Sequence, residues 1–129
     1  MPYKDECIMI IDDQIANIKL LSLFLQAEGY TKVVTIQDSR LAVSKYQECR
    51  PVLILLDIKM PYLNGFEVMH QLHLLDDPLP PSIVALTGFT DEENLMKIQE
   101  AGAVVLTKPF KFKELQVLLN KLLDRSCNS

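Results

Sequence analysis

No excess of positive charge marks this chain: 13 lysines and arginines stand against 17 aspartates and glutamates, for a formal net charge of −4. A surface of that balance offers little to a phosphate backbone or an anionic bilayer, so direct binding of nucleic acid or membrane is not expected. Long apolar runs are missing as well. None approaches the ~20 residues of a membrane span, and the polar stretch Met1 to Glu6 lacks the basic segment and apolar core of a secretory leader. The chain therefore reads as cytoplasmic. Cysteine is sparse. Cys7, Cys49 and Cys127 are an odd number without CxxC spacing, which suits neither a disulfide framework nor structural zinc and leaves reduced thiols as the simplest reading. Low-complexity segments and internal repeats beyond a strand-helix unit are absent too, and 129 residues make one domain by ordinary length, with no second one accommodated.

What is present is alternation. Five short runs rich in Ile, Val and Leu (Cys7 to Ile11, Lys32 to Ile36, Val52 to Leu56, Ser82 to Leu86 and Val104 to Leu106) alternate with segments of helical periodicity. Ile15, Ile18, Leu21 and Leu25 form one helical stripe, and Phe112, Leu115, Leu119 and Leu122 form another. Such alternation predicts an α/β fold with a parallel sheet covered on both faces. The run Val52 to Leu56 shows no inside-outside alternation, so it belongs near the middle of the sheet. Gly29 and Gly102 fall where left-handed helix caps belong, and Thr90 with Glu93 predicts a capping box opening a helix over Asp91 to Glu100. Asp76 to Pro81, with three prolines, reads as a stiff loop entering the fourth strand.

Ligands of open α/β sheets bind beyond the carboxyl ends of the strands, and those positions hold an informative set of residues. Asp12 and Asp13 follow the first run, Asp57 the third, Thr87 and Gly88 the fourth, and Lys108 with Pro109 the fifth. Neighbouring strands lie about 4.8 Å apart, so the three acids would crowd one another. Like charges ~4 Å apart repel by about 4 kcal/mol at an effective dielectric near 20, which calls for a proton, a basic side chain or a cation. A hard divalent ion such as Mg2+ suits carboxylate oxygen. Acids for a metal, a carboxylate nucleophile, a hydroxyl, an amide and an ammonium are together the groups that phosphoryl chemistry uses.

Five segments carry a family resemblance: Ile11-Asp12-Asp13, Leu56-Asp57-Ile58-Lys59-Met60-Pro61, Asn64-Gly65, Ala85-Leu86-Thr87-Gly88 and Leu106-Thr107-Lys108-Pro109-Phe110. In that order and spacing they resemble the receiver domains of two-component response regulators, of the chemotaxis-receiver type, across residues 6 to 123, with 124 to 129 a polar tail. The resemblance implies a flavodoxin-like, doubly wound sheet of five parallel strands in the order 2-1-3-4-5 with five helices. It implies a signalling role, without turnover of outside substrates, in which Asp57 accepts a phosphoryl group from a histidine kinase or histidine phosphotransfer protein. Asp13, Asp57 and the backbone carbonyl of Lys59 would ligate Mg2+ (or Mn2+), with Asp12 reaching it through water. Lys108 would pair with Asp57 and then with a phosphoryl oxygen, while Thr87 and the Gly88 amide would bind the others. A cis Lys108-Pro109 bond is implied as well, and so is pairing of receivers through the fourth helix, fifth strand and fifth helix, where Val105 and Val117 are apolar.

Departures from the family pattern are specific. Val105 stands where many receivers carry an aromatic switch residue, Tyr62 where Gly is common and Asn64 where Asp is common. Lys59 and Phe89 occupy the two positions that tune phosphoryl lifetime in the family. Two competing readings remain at this level. A haloacid-dehalogenase-like phosphatase would want an acid two residues after its nucleophile, where this chain has Lys59 after Asp57 and Ile15 after Asp13. A receiver-like scaffold without chemistry would not need the full set of site residues. His70 and His73, three apart on a predicted helix, read as solvated surface for want of further ligands.

Overall fold

The computed structural model describes residues 6–89 and 91–124, the side chain of Asp124 excepted. Five strands alternate with five helices: β1 (Cys7–Ile11), α1 (Ile15–Ala27), β2 (Lys32–Ile36), α2 (Ala42–Cys49, preceded by a single 3-10 turn at Ser39–Leu41), β3 (Leu53–Asp57), α3 (Gly65–His73), β4 (Ser82–Thr87), α4 (Glu92–Glu100), β5 (Val104–Thr107) and α5 (Phe112–Asp124). The strands form one sheet in the order β2-β1-β3-β4-β5, and every neighbouring pair is parallel. Both the α/β class expected from the alternation and the strand order implied by the family resemblance are therefore observed.

Successive side chains of a strand point to opposite faces, and here each face has its own set of helices. Met9, Ile11, Ile54, Leu56, Ile83 and Ala85 pack beneath α2, α3 and α4, meeting Tyr46, Val68, Met69, Leu72 and Ile98. Ile8, Ile10, Leu53, Leu55, Val84 and Leu86 pack beneath α1 and α5, meeting Ile18, Leu21, Leu25, Leu115, Leu119 and Leu123. Central β1 and β3 are buried on both sides, whereas edge strand β5 leaves Val104 partly open. That is why Leu53 to Leu56 need no polar alternation.

Both predicted helical stripes need correction at their ends. Ile15 is 52% exposed and Phe112 41% exposed, because each opens its helix on a first turn that projects past the carboxyl edge of the sheet. At the end of α5 it is Leu123 that joins buried Leu115 and Leu119, and Leu122 is half-buried. Phe112 instead stacks on Phe24 of α1 with ring centroids 5.2 Å apart and meets the edge of Phe110 at 6.1 Å. The helix expected from Asp91 starts at Glu92: Asp91 is its cap, accepting from the Asn94 amide at 3.1 Å. Thr90, the other half of the predicted capping box, lies outside the described residues, as do Cys127 and the tail beyond residue 124. Gly29 (φ 96°) and Gly102 (φ 89°) are left-handed as anticipated.

At the amino edge of the sheet, Tyr46 donates a 2.6 Å hydrogen bond to Asp77, which also accepts from the Leu79 amide and from Arg50. The Tyr46 hydroxyl, followed by the Leu79 amide, holds the Asp77 carboxyl below its ordinary value, and burial pushes the Tyr46 phenol up to about 12. A carboxyl with a depressed folded-state pKa contributes stability above its unfolded value and loses it as the pH falls through the folded one. Tyr46→Phe should lower the melting midpoint by a few degrees at neutral pH and by less in acid, which a thermal melt series across pH checks.

Candidate phosphoacceptor site

The site lies at the carboxyl edge, where the ends of β1, β3, β4 and β5 supply its residues. The backbone of β1 runs on past Ile11 far enough for the Asp12 amide to bond Ile36 O at 3.0 Å, which fixes Asp12 at the sheet edge. Its Oδ1 accepts from the Gln14 amide at 2.9 Å, while Oδ2 is buried without a hydrogen-bond partner. Asp57 is the last residue of β3 and Asp13 the second residue beyond β1. Carboxylate oxygens of Asp12, Asp13 and Asp57 all lie within 4.8 Å of one another, Asp12 and Asp57 being buried and Asp13 half-buried.

Lys108 answers part of that charge. Its Nζ donates to Asp57 Oδ1 at 3.1 Å from a side chain 34% exposed, against 8% for Asp57. The Lys108 amide donates to Thr87 O at 2.7 Å, which ties this residue to the end of β4, and the Lys108-Pro109 bond is cis, as the resemblance implied. One ammonium does not balance three acids. Burial first, then the neighbouring Asp12 charge, raise the Asp57 carboxyl above its ordinary 3.8 despite Lys108. Burial likewise raises Asp12, partly offset by the Gln14 amide, Lys108 and Asn17. Hard oxygen donors crowded together, one of them a buried carboxylate oxygen with no bonding partner, suit a small divalent cation.

Thr87 ends β4 almost fully buried, and its Oγ1 accepts from the Phe89 amide at 3.0 Å, which leaves the hydroxyl hydrogen to donate elsewhere. Exposed Gly88 follows, with open space where a Cβ would stand. A cavity of about 250 Å³ joins these groups and is lined by Gln14, Asn17, Asp57, Lys59, Thr87, Gly88 and Lys108. The Lys59 ammonium lies 4.9 Å from the centroid of the Phe89 ring, so the two departures from the family pattern touch each other beside the cavity.

Every side chain singled out for the site thus converges there, and Lys59 and Gly88 border the same cavity. Gln14 and Asn17 were missed, although both fall in the first residues after Asp12-Asp13, where α1 begins. Also missed was the brace behind the loop after β3. Buried Ser39 donates to Pro61 O and accepts from the Leu63 amide, each at 3.1 Å. Arg40, held bidentately by Asp38, lies 3.7 Å over the ring of Tyr62, a residue with φ of 66°. Asn64 and Glu67 close a capping box at the start of α3, a signal present in the sequence as N-x-x-E. Beside them Gly65 is required by proximity: an added Cβ would fall 2.8 Å from Ile58 Cα and 2.9 Å from Asp57 O.

A doubly wound sheet with acids, a hydroxyl and a lysine gathered at its carboxyl edge places the chain among α/β proteins with a strand-end site, and similarity to known proteins narrows that class. Residues 8–120 match the response regulator receiver domain family. DNA-binding response regulator MtrA of Mycobacterium tuberculosis is 36% identical over 120 residues, which cover 92% of this chain and 51% of the relative. The chemotaxis response regulator CheY4 of Vibrio cholerae is 31% identical with a TM-score of 0.83, covering 92% of this chain and 99% of that one. A signal receiver domain of a histidine kinase from Syntrophus aciditrophicus, 28% identical, superimposes with a TM-score of 0.81 over 92% of this chain and 90% of its own. This chain belongs to the response regulator receiver domain family of two-component signalling. It spans about half the length of the curated relatives it matches. Among the described residues no helix is long and apolar enough to cross a membrane.

Proposed function

We propose that residues 6 to 123 are a phosphoacceptor unit in which Asp57 takes a phosphoryl group from a phosphohistidine of a histidine kinase or phosphotransfer protein. The observation that carries this reading is the convergence of Asp12, Asp13 and Asp57 within 4.8 Å, with Lys108 3.1 Å from the Asp57 carboxylate. Asp13, Asp57 and the Lys59 carbonyl would hold Mg2+, with Asp12 acting through water and Mn2+ as a substitute. Bound there, the cation neutralises the acids and the negative charge of the transferring group.

The protein's own part is position and charge. Asp57 presents a carboxylate oxygen in line with the phosphorus, and the new P–O bond forms as the P–N bond to the donor imidazole breaks. Lys108 moves its attention from Asp57 to a phosphoryl oxygen, and the Thr87 hydroxyl and Gly88 amide bond the other two. Movement of Thr87 toward the phosphoryl group is then the start of a switch read at α4, β5 and α5. With Val105 in place of an aromatic residue, that switch runs without the usual ring rotation.

The test is to incubate the protein with Mg2+ and a small acyl phosphate and weigh it intact beside Asp57→Asn. A phosphoryl increment in the parent alone supports the reading, and steady turnover of unrelated phosphate esters by the parent defeats it in favour of a phosphatase. The Lys59 and Phe89 contact gives a second expectation, for the phosphorylated state. A long cation packed on an aromatic ring at the mouth of the cavity restricts the attacking water, so the acyl phosphate should persist for minutes or more. Decay within seconds, or no acceleration in the Lys59→Ala, Phe89→Ala double variant, would count against that role.

A further inference from the structure

Far from the carboxylate cluster, at the amino edge of the sheet, two thiols meet. Cys7 opens β1 and Cys49 closes α2. The chain between them turns sharply: Arg50 caps α2 in the left-handed conformation (φ 47°), its amide bonds Tyr46 O at 2.9 Å, and the Val52 amide bonds Cys7 O, also at 2.9 Å. That backbone bond lashes the segment after Cys49 alongside the residue that carries the other sulfur. The side chains of Cys7 and Cys49 are close enough for each thiol to act on the other, Cys7 buried and Cys49 half-buried against the core under α2. Both are free thiols.

We infer that Cys7 and Cys49 form a reversible redox pair, which closes into an intramolecular disulfide on exchange with an oxidised low-molecular-weight disulfide and ties the end of α2 to the start of β1. The order of attack follows from access. Cys49, the more open sulfur, loses its proton to solvent and attacks one sulfur of the small disulfide RSSR, giving a mixed disulfide and releasing RS⁻. Cys7 then attacks the Cys49 sulfur, the second RS⁻ leaves, and the Cys7 proton passes to it through solvent. Two protein thiols are oxidised and one RSSR is reduced to two RSH. Burial first, then the neighbouring Cys49, push the Cys7 thiol up to about 11, while Lys32 opposes and Glu6 reinforces the shift. Cys7 is therefore the resolving and slower partner.

The bond would close a loop from residue 7 to residue 49, which links β1 to everything through α2 while leaving the strand's far end at Asp12 untouched. Its effect is on the stability of the α2 side of the sheet, and α2 packs on β1 and β2. Such a lock goes beyond the phosphoacceptor reading and does not depend on it.

The experiment treats the folded full chain with excess oxidised glutathione, quenches free thiols with N-ethylmaleimide, and reads intact mass and a non-reducing peptide map. The expected product has lost two hydrogens, carries no glutathione, joins the Cys7 and Cys49 peptides, and returns to the starting mass with dithiothreitol. Its melting midpoint should rise on the order of 10 °C over the reduced form. Cys127→Ser should close equally well, and Cys49→Ser should give no bond to Cys7. A reaction that stops at a glutathione adduct on Cys49, a map that joins either cysteine to Cys127 instead, or a Cys7 that remains open to alkylation after unfolding would each overturn the pair.

Discussion

If Asp57 is the phosphoacceptor we propose, withdrawing magnesium with a chelator should slow its phosphoryl uptake by about a thousandfold or more, because a divalent ion in such a site supplies several kcal/mol of transition-state charge stabilisation. Without it, a polyanionic donor must approach three acids that one ammonium at 3.1 Å only partly balances. Asp13→Ala should carry much of the same loss at limiting Mg2+ and recover part of it as the ion is raised, since it weakens the ion's hold while leaving Asp57 and Lys108 in place. Single-turnover uptake from a small acyl phosphate, followed by mass across a magnesium titration, measures both effects. Equal rates with and without the ion would remove the metal from the account.

Asp12→Asn should make the metal-free protein more stable, by on the order of 1–2 kcal/mol at neutral pH, because it removes a buried charge that has one oxygen unpartnered. The direction follows from linkage. Asp12 and Asp57 titrate above their ordinary 3.8 when folded, so each disfavours the fold at pH values above its folded pKa. That penalty fades as the pH falls through the folded value toward 3.8, and the advantage of the asparagine should fade with it. Magnesium ought to do for the parent what the substitution does, adding about 2.7 kcal/mol at a hundredfold excess over its dissociation constant. The variant should gain less from the ion. Denaturant melts at neutral and acid pH, each with and without Mg2+, give all four numbers, and a variant less stable than the parent at neutral pH would contradict the electrostatic picture.

How much of this could be read from the chain depended on distance along it. Patterns local to a few residues translated well: the all-apolar Leu53 to Leu56 is the buried centre of the sheet, Gly29 and Gly102 take positive φ, and the strand-end acids meet where parallel order requires. Lys108 and Asp57 are 51 residues apart, yet their contact was legible because both end strands of one parallel sheet and because five motif segments fell in family order. Periodicity failed at the first turns of two helices, since Ile15 and Phe112 keep the 3.6-residue phase but stay partly open, Phe112 packing on the Phe24 and Phe110 rings rather than into the core. Contacts made by tertiary placement alone gave no signal. Ser39 with the Pro61 to Leu63 loop, Arg40 with Tyr62, Tyr46 with Asp77, and Cys7 with Cys49 join segments whose approach only the fold decides. Cysteine spacing was uninformative for that last pair because the packing of α2 on the sheet brings the end of a helix beside the start of a strand that no short motif connects to it.

The most direct measurement is to locate the modification. After brief exposure to Mg2+ and a small acyl phosphate, the parent protein is digested under conditions that preserve acyl phosphates and the phosphoryl group is assigned to a residue by fragment mass. The account predicts one group per chain, on Asp57, absent when the ion is chelated. A phosphoryl group found on Asp12, Asp13 or elsewhere, or the same yield without magnesium, would contradict it.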